Sequence, residues 1–181
     1  RPYLAALGRA GQRSVTAILF YEPWGEQTHD LFDPMVQTTK KSDGSWAYDY
    51  NVFDKYVELC AEYGIDKQIN CFSMVPWDMS FRYWDEATAD YKYVQTNTST
   101  EAYRELWTSF LTAFKAHLIE KGWFEKTNIA LDERAEADML NAYAIAGNLG
   151  FNMALAGNYH SSLCDKFRDL CVQLGQEGSF T

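Results

Sequence analysis

The sequence predicts an α/β fold, a partial (β/α)8 barrel of about four strand–helix units with long insertions after its strands. Three observations lead there. Short apolar runs rich in β-formers alternate with segments of helical periodicity, the mark of successive strand–helix units. Connections from helix to strand are short, whereas two connections from strand to helix run to about thirty residues rich in Trp, Tyr and Asp. The length of 181 residues is well below the roughly 250 that a full barrel usually needs.

The first strand is expected over residues 14–20, an apolar run containing Val15, Ile18 and Phe20. In the loop that follows, Asp43-Gly44 separates Val36-Gln37-Thr38 from Trp46-Ala47-Tyr48, the pattern of a hairpin. The first helix carries Val52, Phe53, Tyr56, Val57, Cys60 and Tyr63 at helical spacing, with Asp49 or Asn51 near its start and Gly64 as its stop. Residues 65–72 read as the second strand, and a second long insertion follows. Phe81-Arg82-Tyr83-Trp84 and Tyr91-Lys92-Tyr93-Val94 read as the arms of another hairpin. Tyr103, Trp107, Phe110, Phe114 and Leu118 form one apolar stripe of a long helix ended by Gly122. The third strand is residues 128–131. Met139, Leu140, Tyr143 and Ala146 mark a third helix stopped at Gly150, and residues 151–156 form a fourth strand. Leu163, Phe167, Leu170, Cys171 and Leu174 give a fourth helix. Such a succession implies parallel strands with right-handed crossovers. A doubly wound sheet is the structural alternative, but no glycine-rich phosphate loop follows any strand.

Composition narrows the function classes. With 47% hydrophobic and 23% charged residues the chain can bury a substantial core. Its net charge of −9 argues against nucleic acid or an anionic membrane surface, both of which reward clustered Lys and Arg. No run of 18 apolar residues offers a membrane span. The chain opens on Arg1-Pro2-Tyr3 and is expected to be an excerpt of a longer protein. Cys60, Cys71, Cys164 and Cys171 lack metal-ligand spacing. With Cys60 and Cys171 on apolar helix faces and Cys71 in a strand, buried free thiols are expected. His29 and His160 are assigned polar loop roles. No metal and no cofactor is called for.

Asp132-Glu133 closes the third strand, and in a barrel the residues just past each strand converge on one site. The pair also suits a plainer role, with Asp132 capping a helix near Ala135 and Glu133 in its first turn. Around it the strand ends collect Glu22, Trp24, Trp77, Asp78, Asn158, Tyr159 and His160. Acids, aromatics and amides are what a sugar site uses. Ordinary glycosidases hold two carboxyls roughly 5 to 9.5 Å apart across the scissile bond. Sequence neighbours better suit a reaction in which the sugar's 2-acetamido oxygen attacks, one acid steadies it and the next protonates the leaving oxygen.

The sequence resembles glycoside hydrolase family 123, whose members are exo-acting β-N-acetylgalactosaminidases. The likeness runs from about Thr16 to Tyr159 and rests on several motifs together. They are Trp24-Gly25-Glu26-Gln27-Thr28, Asp43-Gly44-Ser45-Trp46 with Tyr48-Asp49-Tyr50, and Gly64-Ile65-Asp66-Lys67-Gln68-Ile69. Further along come Ser73-Met74-Val75-Pro76-Trp77, Glu120-Lys121-Gly122-Trp123-Phe124, Asp132-Glu133-Arg134 and Leu155-Ala156-Gly157-Asn158-Tyr159-His160. The resemblance implies that residues 1–181 are a fragment of one catalytic barrel, usually accompanied by further β-rich domains of the same parent chain. It implies hydrolysis of terminal β-linked GalNAc on glycans or glycolipids, with retention through an oxazolinium, and points to a secreted or periplasmic location.

By the resemblance, Asp132 orients the acetamido N–H, and Glu133 is general acid and then general base. Tyr159 is the candidate donor to the acetamido oxygen, with Asn158 beside it as a substrate-binding residue. Trp77 and Trp24 are the candidates for ring stacking. Glu22-Pro23 departs from the more amide-rich loop the family leads one to expect. Two alternatives stand beside this reading: a β-N-acetylglucosaminidase of the same mechanism, and a non-catalytic carbohydrate-binding remnant.

Overall fold

The computed structural model describes residues 1–176 and 178. In chain order the elements are α1 (Pro2–Arg9), β1 (Ser14–Ile18), β2 (Gln37–Lys40), β3 (Trp46–Asp49), α2 (Asn51–Glu62), β4 (Gln68–Phe72), β5 (Ser80–Asp85) and β6 (Asp90–Gln95). Then follow α3 (Glu101–Glu120), β7 (Thr127–Leu131), α4 (Glu136–Ala146), β8 (Asn152–Gly157) and β9 (Asp169–Val172). Five strands form one parallel sheet in the order β1-β4-β7-β8-β9.

Register decides the two faces of that sheet. Val15 pairs with Ile69, Cys71 with Ile129, Ile129 with Met153, and Leu131 with Leu155. These apolar rows belong to the buried core together with α3, whose Tyr103, Trp107, Phe110, Phe114 and Leu118 are all fully buried. The α3 stripe is therefore as the periodicity predicts. Thr100 caps the helix by accepting from the Tyr103 N–H at 3.2 Å, and Gly122 leaves it with φ +70°.

The other face of the sheet is polar and concave. Thr16, Asn70, Asn128 and Asn152 stand in one row, and Asn128 Nδ2 donates to Asn70 Oδ1 at 2.8 Å. Gln68 Nε2 on β4 donates to Asp169 Oδ2 on β9 at 2.6 Å, although two strands lie between them. In a flat sheet those backbones would be roughly 14 Å apart, three interstrand spacings. Side chains on the same face meet over that span only because the sheet curls, as in part of a barrel.

The two long insertions are hairpins, as the Asp43-Gly44 signal and the Phe81 and Tyr91 runs predict. The sequence did not reveal that they join. β2 lies parallel to β5, with Thr39 beside Trp84, so the hairpins make one four-stranded sheet, β3-β2-β5-β6. One face of this second sheet packs on α3, with Tyr48 edge-on to Phe110 at 5.1 Å and Phe81 to Trp107 at 5.6 Å.

The predicted fourth helix is a fifth strand. Leu163 and Phe167 are buried, and helical turns begin there, with the Lys166 and Phe167 N–H groups donating to Leu163 O. At Arg168 the backbone N–H donates to Met153 O instead, and β9 pairs with β8. A free parallel edge thus overrides a weak helical spacing. Cys171 is consequently exposed on the edge strand, not on an apolar helix face, while Cys60 and Cys71 are buried free thiols. Residues 65–67 precede β4 and are not part of it, and α1, with Pro2 in its first turn, has no counterpart in the periodicity reading.

Ser73 fastens the top of β1 to the top of β4. Its buried Oγ accepts from the Leu19 and Phe20 N–H groups at 3.1 and 2.9 Å, and its φ of +126° is unusual for a non-glycine residue. Ser73→Ala should lower unfolding stability by about 1–3 kcal/mol, because the Phe20 N–H loses its acceptor. Urea denaturation with an unchanged midpoint would remove Ser73 from this role.

Candidate active site

All five strands of the curled sheet point the same way, so their C-terminal ends gather at one rim. β7 ends at Leu131, and the next turn is tight, with the Arg134 N–H donating to Asp132 O at 2.7 Å. Both Asp132 carboxylate oxygens accept. Oδ1 takes the Glu133 N–H at 2.8 Å, and Oδ2 takes Trp77 Nε1–H at 3.0 Å. The N-cap of α4 is Ala135, with no side-chain cap, so Asp132 does not serve the helix.

Trp77 comes from the loop after β4. Its backbone N–H donates to Pro23 O at 3.0 Å, which ties that loop to the one after β1, and a Cβ on Gly25 would lie 3.2 Å from Trp77 Cβ. The Arg134 guanidinium lies 4.6 Å from the indole centroid, a cation–π contact that covers one side of the ring. Trp77 is still 37% exposed. The loops after β1, β4 and β7 are thereby linked next to Asp132.

Glu133 is exposed and borders β8. A Cβ placed on Gly157 would come within 3.1 Å of Glu133 Cα and 3.3 Å of its Cγ. Only the lack of a side chain at Gly157 lets the end of β8 approach the acid so closely. Beyond it, Asn158 and Tyr159 are held by a residue that the sequence reading missed. The Tyr159 N–H donates to Gln176 Oε1 at 2.7 Å, and Gln176 Nε2 lies 3.5 Å from Asn158 Oδ1. Gln176 follows β9, so reading β9 as a strand would have pointed to it. The phenol of Tyr159 is raised above its usual pKa, first by a hydrogen bond with Cys164.

Trp24 is half-buried, with Phe32 and Phe72 at centroid distances of 5.9 and 5.8 Å. The loop that carries it is closed by Glu22, a buried residue with φ +46°, whose carboxylate accepts the Phe32 N–H while its own N–H donates to Phe32 O at 3.3 Å. The acid that departs from the expected amide-rich loop is thus used in folding it. His160 stands 3.9 Å from Glu136, and His29 pairs with Asp30 at 3.3 Å in an exposed loop. Among the described residues no three His, Cys, Asp or Glu side chains group as a metal site.

Beneath the acid pair the concave face carries small residues, with Ala130 beside Ala154, both buried. Two hollows elsewhere, about 420 Å³ between α3 and α4 and about 580 Å³ between β3 and α3, lie on the helix-covered side. They contain neither acid nor Trp77 and are not where this chemistry is assembled. The arrangement at the rim offers one tethered carboxylate, beside it a carboxyl with no partner among the described residues, a partly exposed indole and a tyrosine two residues beyond the closest backbone approach.

Gly157→Ala should displace Glu133 by a few tenths of an ångström and cut kcat of the intact parent about tenfold with little change in KM. Steady-state kinetics showing unaltered kcat would mean that the close approach does not position the acid.

The sequence pattern of the glycoside hydrolase 123 catalytic domain matches residues 1–180. Among solved structures, a family 123 glycoside hydrolase from Clostridium perfringens, the subject of a structural analysis of glycolipid glycan hydrolysis, aligns with a TM-score of 0.89 and 31% identity. The alignment covers 96% of this chain and 32% of that one, so the chain spans about a third of its length. No curated protein matches. No described helix is long and apolar enough to cross a membrane. With nearly every residue inside the matched domain, the chain belongs to glycoside hydrolase family 123.

Proposed function

We propose that the chain is part of the catalytic barrel of an exo-acting β-N-acetylgalactosaminidase, which hydrolyses terminal β-linked GalNAc with retention through an oxazolinium. The adjacency of Asp132 and Glu133 at one strand end carries the reading. Two such neighbours do not straddle a glycosidic bond as a nucleophile and an acid do. A tethered carboxyl with an exposed one next to it suits an attack made by the substrate's own amide. The solved relative's link to glycolipid glycan hydrolysis supports a carbohydrate substrate, with terminal GalNAc of glycolipids or other glycans as its class.

In this mechanism Asp132, oriented by Trp77, accepts the acetamido N–H and turns the acetamido oxygen toward C1. The C1–oxygen bond to the leaving group breaks as the acetamido oxygen bonds to C1. Glu133 gives its proton to the departing oxygen. Asp132 then steadies the positive charge spread over the new five-membered ring. In the second half Glu133 takes a proton from water, the water oxygen bonds to C1, and the ring reopens with net retention. In this reading Tyr159 donates to the acetamido oxygen, and Trp24 and the uncovered side of Trp77 meet the sugar's apolar C–H face. Further domains of the parent chain complete the enzyme.

Turnover of an aryl β-GalNAc by the full-length parent should fall by about 100-fold or more in Glu133→Gln. Undiminished turnover would take the acid role from Glu133. Trp77→Phe keeps an aromatic ring, though a smaller one, and deletes the N–H on Asp132, and should lower kcat about tenfold. If KM alone changes, Trp77 binds sugar without positioning Asp132. Comparing aryl β-GalNAc with aryl β-GlcNAc, which differ only at the 4-hydroxyl, should show the galacto sugar preferred.

A further inference from the structure

The outer face of the second sheet carries an aromatic row that the reaction at Asp132 and Glu133 does not use. In the antiparallel β5–β6 pair Arg82 lies opposite Tyr93 and Trp84 opposite Tyr91, so the four side chains share one face. The alternate residues Phe81 and Tyr83 lie on the other face, with Phe81 buried against α3. On the outer face Tyr91 and Tyr93 are 44% and 52% exposed, and Trp84 is half-buried with Tyr91 edge-on at 5.1 Å. Burial of the hairpins against α3 does not require large rings on this side.

The row is joined to the rim of the acid site. The Arg82 guanidinium lies 3.6 Å from the Tyr21 ring centroid and 4.5 Å from that of Tyr91, and it pairs with Asp33 at 2.8 Å. Tyr21 and Asp33 flank the loop after β1, which holds Trp24 and accepts the Trp77 N–H at Pro23 O. Contacts therefore run from the β6 edge, through Arg82 and Tyr21, to the loop that carries Trp24.

We propose that this face is a saccharide-binding surface for the leaving-group side of the substrate, the sugars that precede the terminal residue. The inference rests on the reading of the rim as a β-N-acetylgalactosaminidase site, and names where the rest of that glycan lies. Tyr and Trp rings offer flat apolar faces with polar tips, which match the C–H faces and hydroxyls of a neutral sugar. The net charge of −9 disfavours an anionic polymer, and the aromatic, non-aliphatic make-up of the row disfavours a lipid chain. Continuity with the rim selects a glycan already held there over an unrelated partner.

The test uses the full-length parent and two substrates with the same terminal sugar, an aryl β-GalNAc and a lactose capped with β-GalNAc. Tyr93→Ala and Tyr91→Ala should raise KM for the trisaccharide about fivefold and leave aryl hydrolysis within about twofold, with the thermal midpoint unchanged. Equal losses on both substrates, or none on the trisaccharide, overturn the proposal. A lowered thermal midpoint with no difference between substrates shows that the face packs against another part of the parent, which also overturns it. Titration calorimetry with lactose alone supplies a readout independent of catalysis. Weaker binding by Tyr93→Ala is expected even if the parent proves inactive on aryl β-GalNAc, and unchanged affinity counts against the surface.

Discussion

Parallel pairing of β1, β4, β7, β8 and β9 is the constraint on which the remaining features depend. It aligns Val15 with Ile69, Cys71 with Ile129 and Leu131 with Leu155, so one face of the sheet is continuously apolar and takes up α3. The same register puts Thr16, Asn70, Asn128 and Asn152 on the opposite face, where a polar row and the Gln68–Asp169 bond fit the concave side of a curl. Because every strand runs the same way, every loop after a strand reaches the same rim. Had any one of them been antiparallel, its following loop would have opened at the other end.

At the rim, rigidity is supplied by groups outside the acid pair. Ser73 fixes the tops of β1 and β4, Glu22 closes the loop that presents Trp24, and Trp77 joins two loops while donating to Asp132. The two carboxyls are treated differently by these supports. Asp132 has both oxygens engaged, whereas Glu133 is exposed and is placed mainly by the close approach of Gly157. In the proposed reaction one of these groups holds an orientation and the other exchanges protons, and the difference in their surroundings follows from which loop each meets.

The legible parts of the sequence were those governed by local periodicity and turn chemistry. The α3 stripe, the Asp43-Gly44 hairpin and the parallel strands β1, β4, β7 and β8 follow from side-chain spacing, and the acid pair was visible because it terminates an apolar run. What was hidden depends on pairing between distant segments. β9 was read as a helix because Leu163 and Phe167 are spaced like one, and only the open edge of β8 makes residues 169–172 extend. Gln176 was missed for the same reason, since its meaning comes from following a strand. Neither the joining of the two hairpins through β2 and β5 nor the Gly157–Glu133 approach has a local signature. Both are contacts between residues tens of positions apart, and periodicity carries no record of them.

The central claim is that the nucleophile belongs to the substrate and not to the protein. It is tested most directly by aryl β-galactosaminides whose N-acyl group carries zero, one, two or three fluorines, turned over by the full-length parent. Fluorine withdraws electrons from the acyl oxygen that must attack C1, so the account predicts kcat/KM falling steeply with each fluorine. A rate that does not change along the series would contradict it and require a nucleophile from the chain.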